Sequence, residues 1–305
     1  MENIVIIGGG FGGLSFVKNA RKSKNNFTLI DKTNHHLFQP LLYQVATAVL
    51  SPADITVPIR NLFKNDKNVN VILDEVIDIN QQNNSLILKS GNEINYDKLL
   101  ISVGSSYSYF GNDHWSSYSN GLKNLNDALD IRDSILKAFE NAENEKNLEL
   151  KLSYLSFVII GGGPTGVELA GSIAELAYKN IKNEYRNFNT KDINVYLVEA
   201  GSVILPDYSR DLSEKASKYL HRLGVNLKLN EKVMNIEDKK VVTEKEIYNT
   251  NNIIWAAGNK ANPLIEKLKT EVDNFGRVVV NDDFSIKENN SIYVIGDASN
   301  YKNFD

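Results

Sequence analysis

Two glycine-rich loops carry the chemistry of this sequence. Gly8-Gly9-Gly10-Phe11-Gly12-Gly13 and Gly161-Gly162-Gly163-Pro164-Thr165-Gly166 share the spacing Gly-x-Gly-x-x-Gly. Each follows a short apolar run, Ile4–Ile7 or Phe157–Ile160, and each opens a helical pattern. In such a loop the first glycine permits a tight turn. The second lets a pyrophosphate approach the backbone, and the third lets helix and strand pack closely. The helix start adds N–H groups and partial positive charge. Gly8, Gly10 and Gly13, with Phe11 and Gly12, form one candidate phosphate site. Gly161, Gly163, Pro164, Thr165 and Gly166 form the other. Pro164 stands near the helix start, where a missing N–H costs little.

An acid downstream of each loop completes the pattern. Asp31 lies 18 residues after Gly13, at the end of the next apolar run, placed to accept hydrogen bonds from ribose hydroxyls. Glu199 is the matching acid in the second half, but 33 residues after Gly166. An extended helix and loop over Tyr178 to Asp192 is expected to absorb the difference. A carboxylate there pairs with a ribose 2′-OH and repels a 2′-phosphate, which favours NADH over NADPH. The plainer alternatives are a glycine turn without ligand and a surface carboxylate.

Composition narrows the class. The chain has 305 residues, 42% hydrophobic and 24% charged, which suits two soluble globular domains. A net charge of −4 gives no electrostatic case for nucleic acid. There is no cysteine, so no disulfide, thiolate metal site or cysteine redox relay is available within the chain. His35 and His36 are adjacent, but only His114 and His221 accompany them, so no metal is expected. No run reaches the roughly 20 apolar residues of a membrane span, and Met1-Glu2-Asn3 leads straight into a strand without a signal peptide's pattern. A cytoplasmic location, or the cytoplasmic face of a membrane, is expected.

These loops need parallel strands behind them. Ile4–Ile7 and Phe157–Ile160 read as strands buried on both faces. Further strands are expected at 27–30, 69–73, 99–103, 195–198, 253–256 and 292–295. Gly13, Phe16, Val17 and Ala20 fall on one helical face, as do Gly166, Ala170, Ile173, Ala174 and Ala177. The fold class is therefore α/β, two Rossmann-like dinucleotide-binding domains with parallel sheets. The charged stretch Lys137 to Lys151 reads as an exposed helix or linker.

Several segments resemble the two-dinucleotide-binding flavoproteins. Tyr96–Gly104 is similar to the strand returning toward the cofactor in the FAD half. Ile253–Gly258 is similar to its counterpart in the NAD half, and Ser291–Ala298 to the late Gly-Asp element. His35-His36-Leu37-Phe38-Gln39-Pro40-Leu41-Leu42-Tyr43-Gln44-Val45-Ala46 resembles the type II NADH dehydrogenases. Gly163–Gly171 and Trp255–Pro263 resemble the same family, and the similarity runs from residue 3 to about 300. The resemblance implies FAD on the first loop, NADH on the second, and non-pumping NADH:quinone oxidoreduction in a respiratory chain. It assigns Asp297 to the ribityl chain and adds Lys32, Gln39, Val76, Ser102 and Gly104 to the FAD set. Ala257 and Gly258 join the NADH set. Some of Phe38, Leu41, Leu42 and Tyr43 would wall the flavin. Glu168 matches the family's glutamate near nicotinamide and flavin, a candidate to orient the nicotinamide or pass a proton. Its plainer alternative is a first-turn glutamate satisfying the helix dipole.

The sequence departs from the family at its end. Members continue past the Gly-Asp element into a helix on the quinone side and a membrane-docking, often dimerising region. The expectation is that this chain lacks that segment, which carries the quinone site, peripheral membrane contact and homodimer contacts. The expected domains are 1–115 and 282–305 for FAD, and 116–281 for NAD. Two other readings stay open: an NADH-dependent flavoprotein reductase of a small electron-transfer protein, and a slow-turnover FAD/NADH redox sensor.

Overall fold

A computed structural model describes residues 1–301 as two compact units. The first unit comprises residues 1–37, 56–106 and 259 onward; the second comprises residues 38–55 and 107–258.

The first unit begins with β1 (Asn3–Ile7), α1 (Phe11–Ala20), β2 (Asn26–Asp31) and β3 (Val69–Leu73). An antiparallel meander follows: β4 (Val76–Asn80), β5 (Ser85–Leu88) and β6 (Glu93–Asn95). Then β7 (Lys98–Ile101) returns to the parallel sheet beside β1. Both faces of β1 are covered, as its unbroken apolar run requires. Val5 and Ile7 enter a core with Ile30, Leu99 and Ile101; Ile4 and Ile6 enter another with Leu14, Val17 and Phe27.

The second unit repeats this wiring. In chain order it has the short helix α2 (Leu42–Ala46), β8 (Asn120–Gly121), α3 (Leu125–Asn144), α4 (Leu148–Tyr154) and β9 (Ser156–Ile160). Next come α5 (Pro164–Glu175), β10 (Asn194–Val198), α6 (Arg210–Leu223) and β11 (Val225–Lys228). A second antiparallel meander follows: β12 (Val233–Glu237), β13 (Lys240–Thr243) and β14 (Ile247–Asn249). The strand β15 (Asn252–Trp255) then rejoins the sheet beside β9. The chain returns to the first unit for β16 (Ser285–Ile286) and β17 (Asn289–Val294). The sheet orders are β16-β17-β7-β1-β2-β3 and β8-β15-β9-β10-β11. All their pairings are parallel except β16 with β17.

The expected domain boundaries need three corrections. Residues 259–281 belong to the first unit, because Ala261, Ile265, Leu268 and Val278 are buried with Val5 and Ile7. Residues 107–115 belong to the second, where Tyr109 and Trp115 pack on Trp255. Residues 38–55 also join the second unit: α2 lies against α3 and α5, and the Thr47 and Ser172 hydroxyls are bonded at 2.7 Å.

The charged stretch 137–151 is not a linker. It covers the end of α3, a break at Glu145–Asn147 and the start of α4. The Glu143 carboxylate accepts the backbone N–H groups of Arg186 and Asn187, so it caps the loop before β10. At the other end of α3, Asn124 and Asp127 form a capping box, and Asp127 also takes the hydroxyl of Tyr107. The segment 178–192 continues α5 through a wide π-turn (Leu176–Asn180) into a loop and a tight turn (Thr190–Asp192).

Candidate functional site

Both glycine loops sit at the carboxyl end of a central parallel strand of their unit, β1 or β9, where α/β sheets bind ligands. Gly8 leaves β1 at φ +103° and Gly161 leaves β9 at φ +111°, a backbone region that suits glycine alone. A Cβ on Gly8 would strike the carbonyl of Ser102. On Gly161 it would lie 2.8 Å from the nitrogen of Ala257. A Cβ on Gly13 or Gly166 would strike the carbonyl of Gly8 or Gly161 respectively. The middle glycines behave differently. A Cβ on Gly10 or Gly163 meets no protein atom within 4 Å. The first and third glycines thus answer to packing inside the protein, whereas the middle one faces open space. That is the cradle a pyrophosphate needs, so the residues present fit a dinucleotide at each loop. Gly10 and Gly163 are the N-caps of α1 and α5, and neither contributes a side chain to the cap.

The two acids occupy equivalent places despite their different spacing. Ile30 pairs with Ile7 and Val198 with Ile160; Asp31 and Glu199 each come next. The N–H groups of Gly8 and Gly161 donate to the carbonyls of Ile30 and Val198, both at 2.8 Å. Asp31 Oδ2 accepts the N–H of Gly9 at 2.5 Å, and Glu199 Oε2 accepts that of Gly162 at 2.6 Å. Asp31 Oδ1 also accepts the N–H and hydroxyl of Thr33, at 2.6 and 2.7 Å. Glu199 Oε1 accepts the N–H of Gly201 at 2.6 Å. A carboxylate offers about four acceptor positions. Protein donors take three on Asp31 and two on Glu199, leaving capacity for ribose hydroxyls on both half-buried groups.

The remaining candidates of the first unit divide. Gly104 (φ +69°) has open space where its Cβ would be. Asp297, exposed on the turn Gly296–Ala298 after β17, accepts the hydroxyl of Ser105 at 3.0 Å. Both lie just past carboxyl ends of parallel strands. Ser102 turns its hydroxyl to the carbonyls of Ile7 and Gly8, at 2.9 and 3.0 Å, and so braces the loop. Val76 is buried in the core with Val5 and Ile7, which leaves only its main chain for a ligand. Lys32 is exposed beside Asp31. Gln39 falls in the second unit, where its amide donates to the carbonyl of Lys123. Leu42 is buried, Leu41 and Tyr43 are half-buried, and Phe38 is exposed, all within the second unit.

In the second unit, Pro164 and Thr165 open α5 and Gly258 turns at φ +69° after β15, matching Gly104 after β7. Ala257 lines the turn of Gly161. Glu168 lies beyond the first turn of α5, which weakens the helix-dipole alternative because that effect fades within the first turn. Partial burial among its neighbours raises its carboxyl above the ordinary 4.5.

Sequence reasoning missed three supporting residues. Thr33 could have been found as an Asp-x-Thr turn. His36, whose Nδ1 is 3.1 Å from the Gly9 carbonyl and whose ring meets Phe11 edge-on, gave no local signal beyond its place in the motif. Glu231, only 3% exposed, reads in the sequence as one more surface charge. Among the described residues no cluster of three or more His, Asp or Glu suits a metal, and no helix is long and apolar enough to cross a membrane.

The chain is similar to known proteins along nearly its whole length. The model of the pyridine nucleotide-disulphide oxidoreductases matches residues 2–304. The type II NADH:quinone oxidoreductase Ndh of Mycobacterium tuberculosis is 38% identical, over 98% of this chain and 67% of its own length. The chain belongs to the type II NADH:quinone oxidoreductase family. A probable NADH dehydrogenase of Dictyostelium discoideum is 30% identical, over 99% of this chain and 68% of its own. The Plasmodium falciparum NDH2 structure in complex with NADH superimposes with a TM-score of 0.89 at 28% identity, over 98% of this chain and 64% of that one. This chain thus spans about two thirds of the length of its family relatives.

Proposed function

We propose that this chain is the two-nucleotide part of a non-electrogenic NADH:quinone oxidoreductase, with FAD held by the first unit and NADH by the second. The observation that carries the reading is the pair of matched cradles, each with an open middle glycine and a half-buried acid past the neighbouring strand. FAD, when bound, supplies the capacity to take hydride from a nicotinamide and pass electrons singly or in pairs to a quinone. The residues bind and orient. Gly10 and Gly163 admit the pyrophosphates; Asp31 and Glu199 hold the ribose hydroxyls. Within the first unit Asp297 and Gly104 join the first site, Ser102 braces its loop, and Lys32 and the main chain of Val76 complete the set. Ala257 and Gly258 border the second. Glu168, whose carboxyl is shifted upward, holds a proton to a higher pH than an ordinary glutamate and so suits a proton-handling role at its carboxylate oxygens. Glu199 selects NADH by repelling a 2′-phosphate.

Within this chain no cysteine stands between flavin and acceptor, so electrons leave for an external molecule. A quinone as acceptor brings the working protein to a membrane surface, and a homodimer belongs to the same reading. The decisive experiment is anaerobic. The purified chain is expected to show a bound-flavin spectrum that NADH bleaches and a soluble quinone restores. Absence of flavin defeats the reading. Bleaching restored only by an electron-transfer protein replaces the quinone with that partner, and NADPH acting as well as NADH removes the role of Glu199.

A further inference from the structure

The second unit contains a buried carboxylate that the proposed chemistry does not use. Glu231 follows β11 by three residues, after Asn230 in the left-handed region at φ +52°, and is 3% exposed. Its Oε1 accepts the hydroxyls of Thr243 at 2.6 Å and Tyr248 at 2.7 Å, from β13 and β14 of the antiparallel meander. Burying a carboxylate is costly unless hydrogen bonds satisfy it, so the two hydroxyls fix this residue firmly. Its backbone reaches elsewhere. The N–H of Glu231 donates to the carbonyl of Glu199 at 3.0 Å, and that of Asn230 to the carbonyl of Gly201 at 2.8 Å. From the other side, Glu199 donates its own N–H to the carbonyl of Lys228 at 2.9 Å. Three backbone hydrogen bonds therefore clasp residues 199–201 to residues 228–231. The side chain of Glu199 in turn binds the N–H groups of Gly162 and Gly201.

We infer that Glu231 is a positioning residue for the nicotinamide nucleotide: it ties the antiparallel meander to the turn that carries Glu199, and so sets where the ribose-binding carboxylate stands. The inference rests on the assignment of NADH to the second unit. It gives the meander a task in recognition, as a brace rather than a lining. The Asp31 carbonyl likewise accepts the N–H of Asp74 at 3.0 Å, but that residue is not a buried carboxylate held by the meander's hydroxyls, and the Asp31 side chain is held by Thr33 two residues on. The group acts on the adenosine end of the nucleotide, so its loss changes affinity and the choice between NAD and NADP, not the hydride step.

The test is equilibrium binding of NAD⁺ and NADP⁺ to the purified chain by calorimetry, with melting temperature and flavin content measured alongside. Glu231→Leu removes the carboxylate acceptor that the Thr243 and Tyr248 hydroxyls share. It is expected to raise the Kd for NAD⁺ about tenfold while NADP⁺ changes little, so that discrimination narrows. KM for NADH should rise with kcat retained. Glu231→Gln keeps a carbonyl oxygen for both hydroxyls and is expected to stay within about twofold of wild type. Should the leucine variant not fold, Tyr248→Phe deletes one hydroxyl and is expected to raise the Kd for NAD⁺ about threefold. An unchanged ratio of NAD⁺ to NADP⁺ affinity in the folded variants, whatever their melting temperature, overturns the positioning role. Failure of the wild-type chain to bind NAD⁺ at all overturns instead the assignment of the second unit.

Discussion

The two units of this protein run the same path with different fittings. Each lays down strand, glycine loop, helix, strand and acid, then inserts a three-stranded meander before the last central strand returns beside the first. In both, two glycines are demanded by the protein's own backbone and one by open space. The acids differ. Asp31 is short and has three of its acceptor positions occupied by its neighbours. Glu199 is one methylene longer, keeps more acceptor capacity and is set from behind by the turn that ends in Glu231. A shared backbone plan therefore builds the same open cradle in both halves, whereas the acid beside it is furnished separately in each.

The largest effects should come from the third glycines. Gly13→Ala places a methyl against the carbonyl of Gly8, and Gly166→Ala does the same at Gly161. Neither backbone can yield without opening the loop, at about 3 kcal/mol, the upper range for overpacking. Gly13→Ala is expected to lose bound flavin and keep NAD⁺ binding; Gly166→Ala should do the reverse. Absorbance of the purified protein and calorimetric titration read the two, and a crossed result would break the correspondence between units and cofactors.

The middle glycines sharpen the contrast. Gly10 and Gly163 have extended backbones open to any residue, and serine is a good helix N-cap. Gly10→Ser and Gly163→Ser should therefore leave the melting temperature of the cofactor-free chain unchanged or slightly higher. Affinity for the matching dinucleotide should fall about tenfold, because the new atoms fill the phosphate cradle. A fall in melting temperature without a loss of affinity counts against the open cradle.

The smallest effect concerns Glu168, which has no counterpart among the first unit's candidate residues. Its carboxyl is raised by burial, so the folded chain binds this proton more tightly than the unfolded chain. Its contribution to stability is complete below 4.5 and is lost as pH climbs through the raised value. Glu168→Gln removes that loss. The melting temperature of wild type relative to the variant should drop as pH rises above 4.5, by on the order of a degree given the exposed surface. A difference that grows in the opposite direction would reverse the sign of the shift.

Local pattern revealed the parallel strands because an unbroken apolar run has few other uses. Ile4–Ile7, Phe157–Ile160 and the six further runs all lie in the two main sheets. The acids were readable for the same reason: each follows such a run, and strand register overrides the difference between 18 and 33 residues. The meanders stayed hidden. Glu93–Asn95 and Ile247–Asn249 are three residues long and half polar, too short to show a period of two. The unit boundaries were hidden too, since nothing local tells residues 259–281 that their apolar side chains belong with Val5 and Ile7. Glu231 is the extreme case: its environment is made by residues 12 and 17 positions later.

The order of the segments has a consequence for synthesis. Once Gly258 has left the ribosome, every strand of the second unit's parallel sheet exists, from β8 to β15. The first unit, although it starts the chain, still lacks β17, the neighbour that covers the open edge of β7. The second unit can therefore complete its sheet while the first waits with an exposed strand edge for the 36 residues from Gly258 to Val294, an interval in which edge pairing with another chain is the hazard.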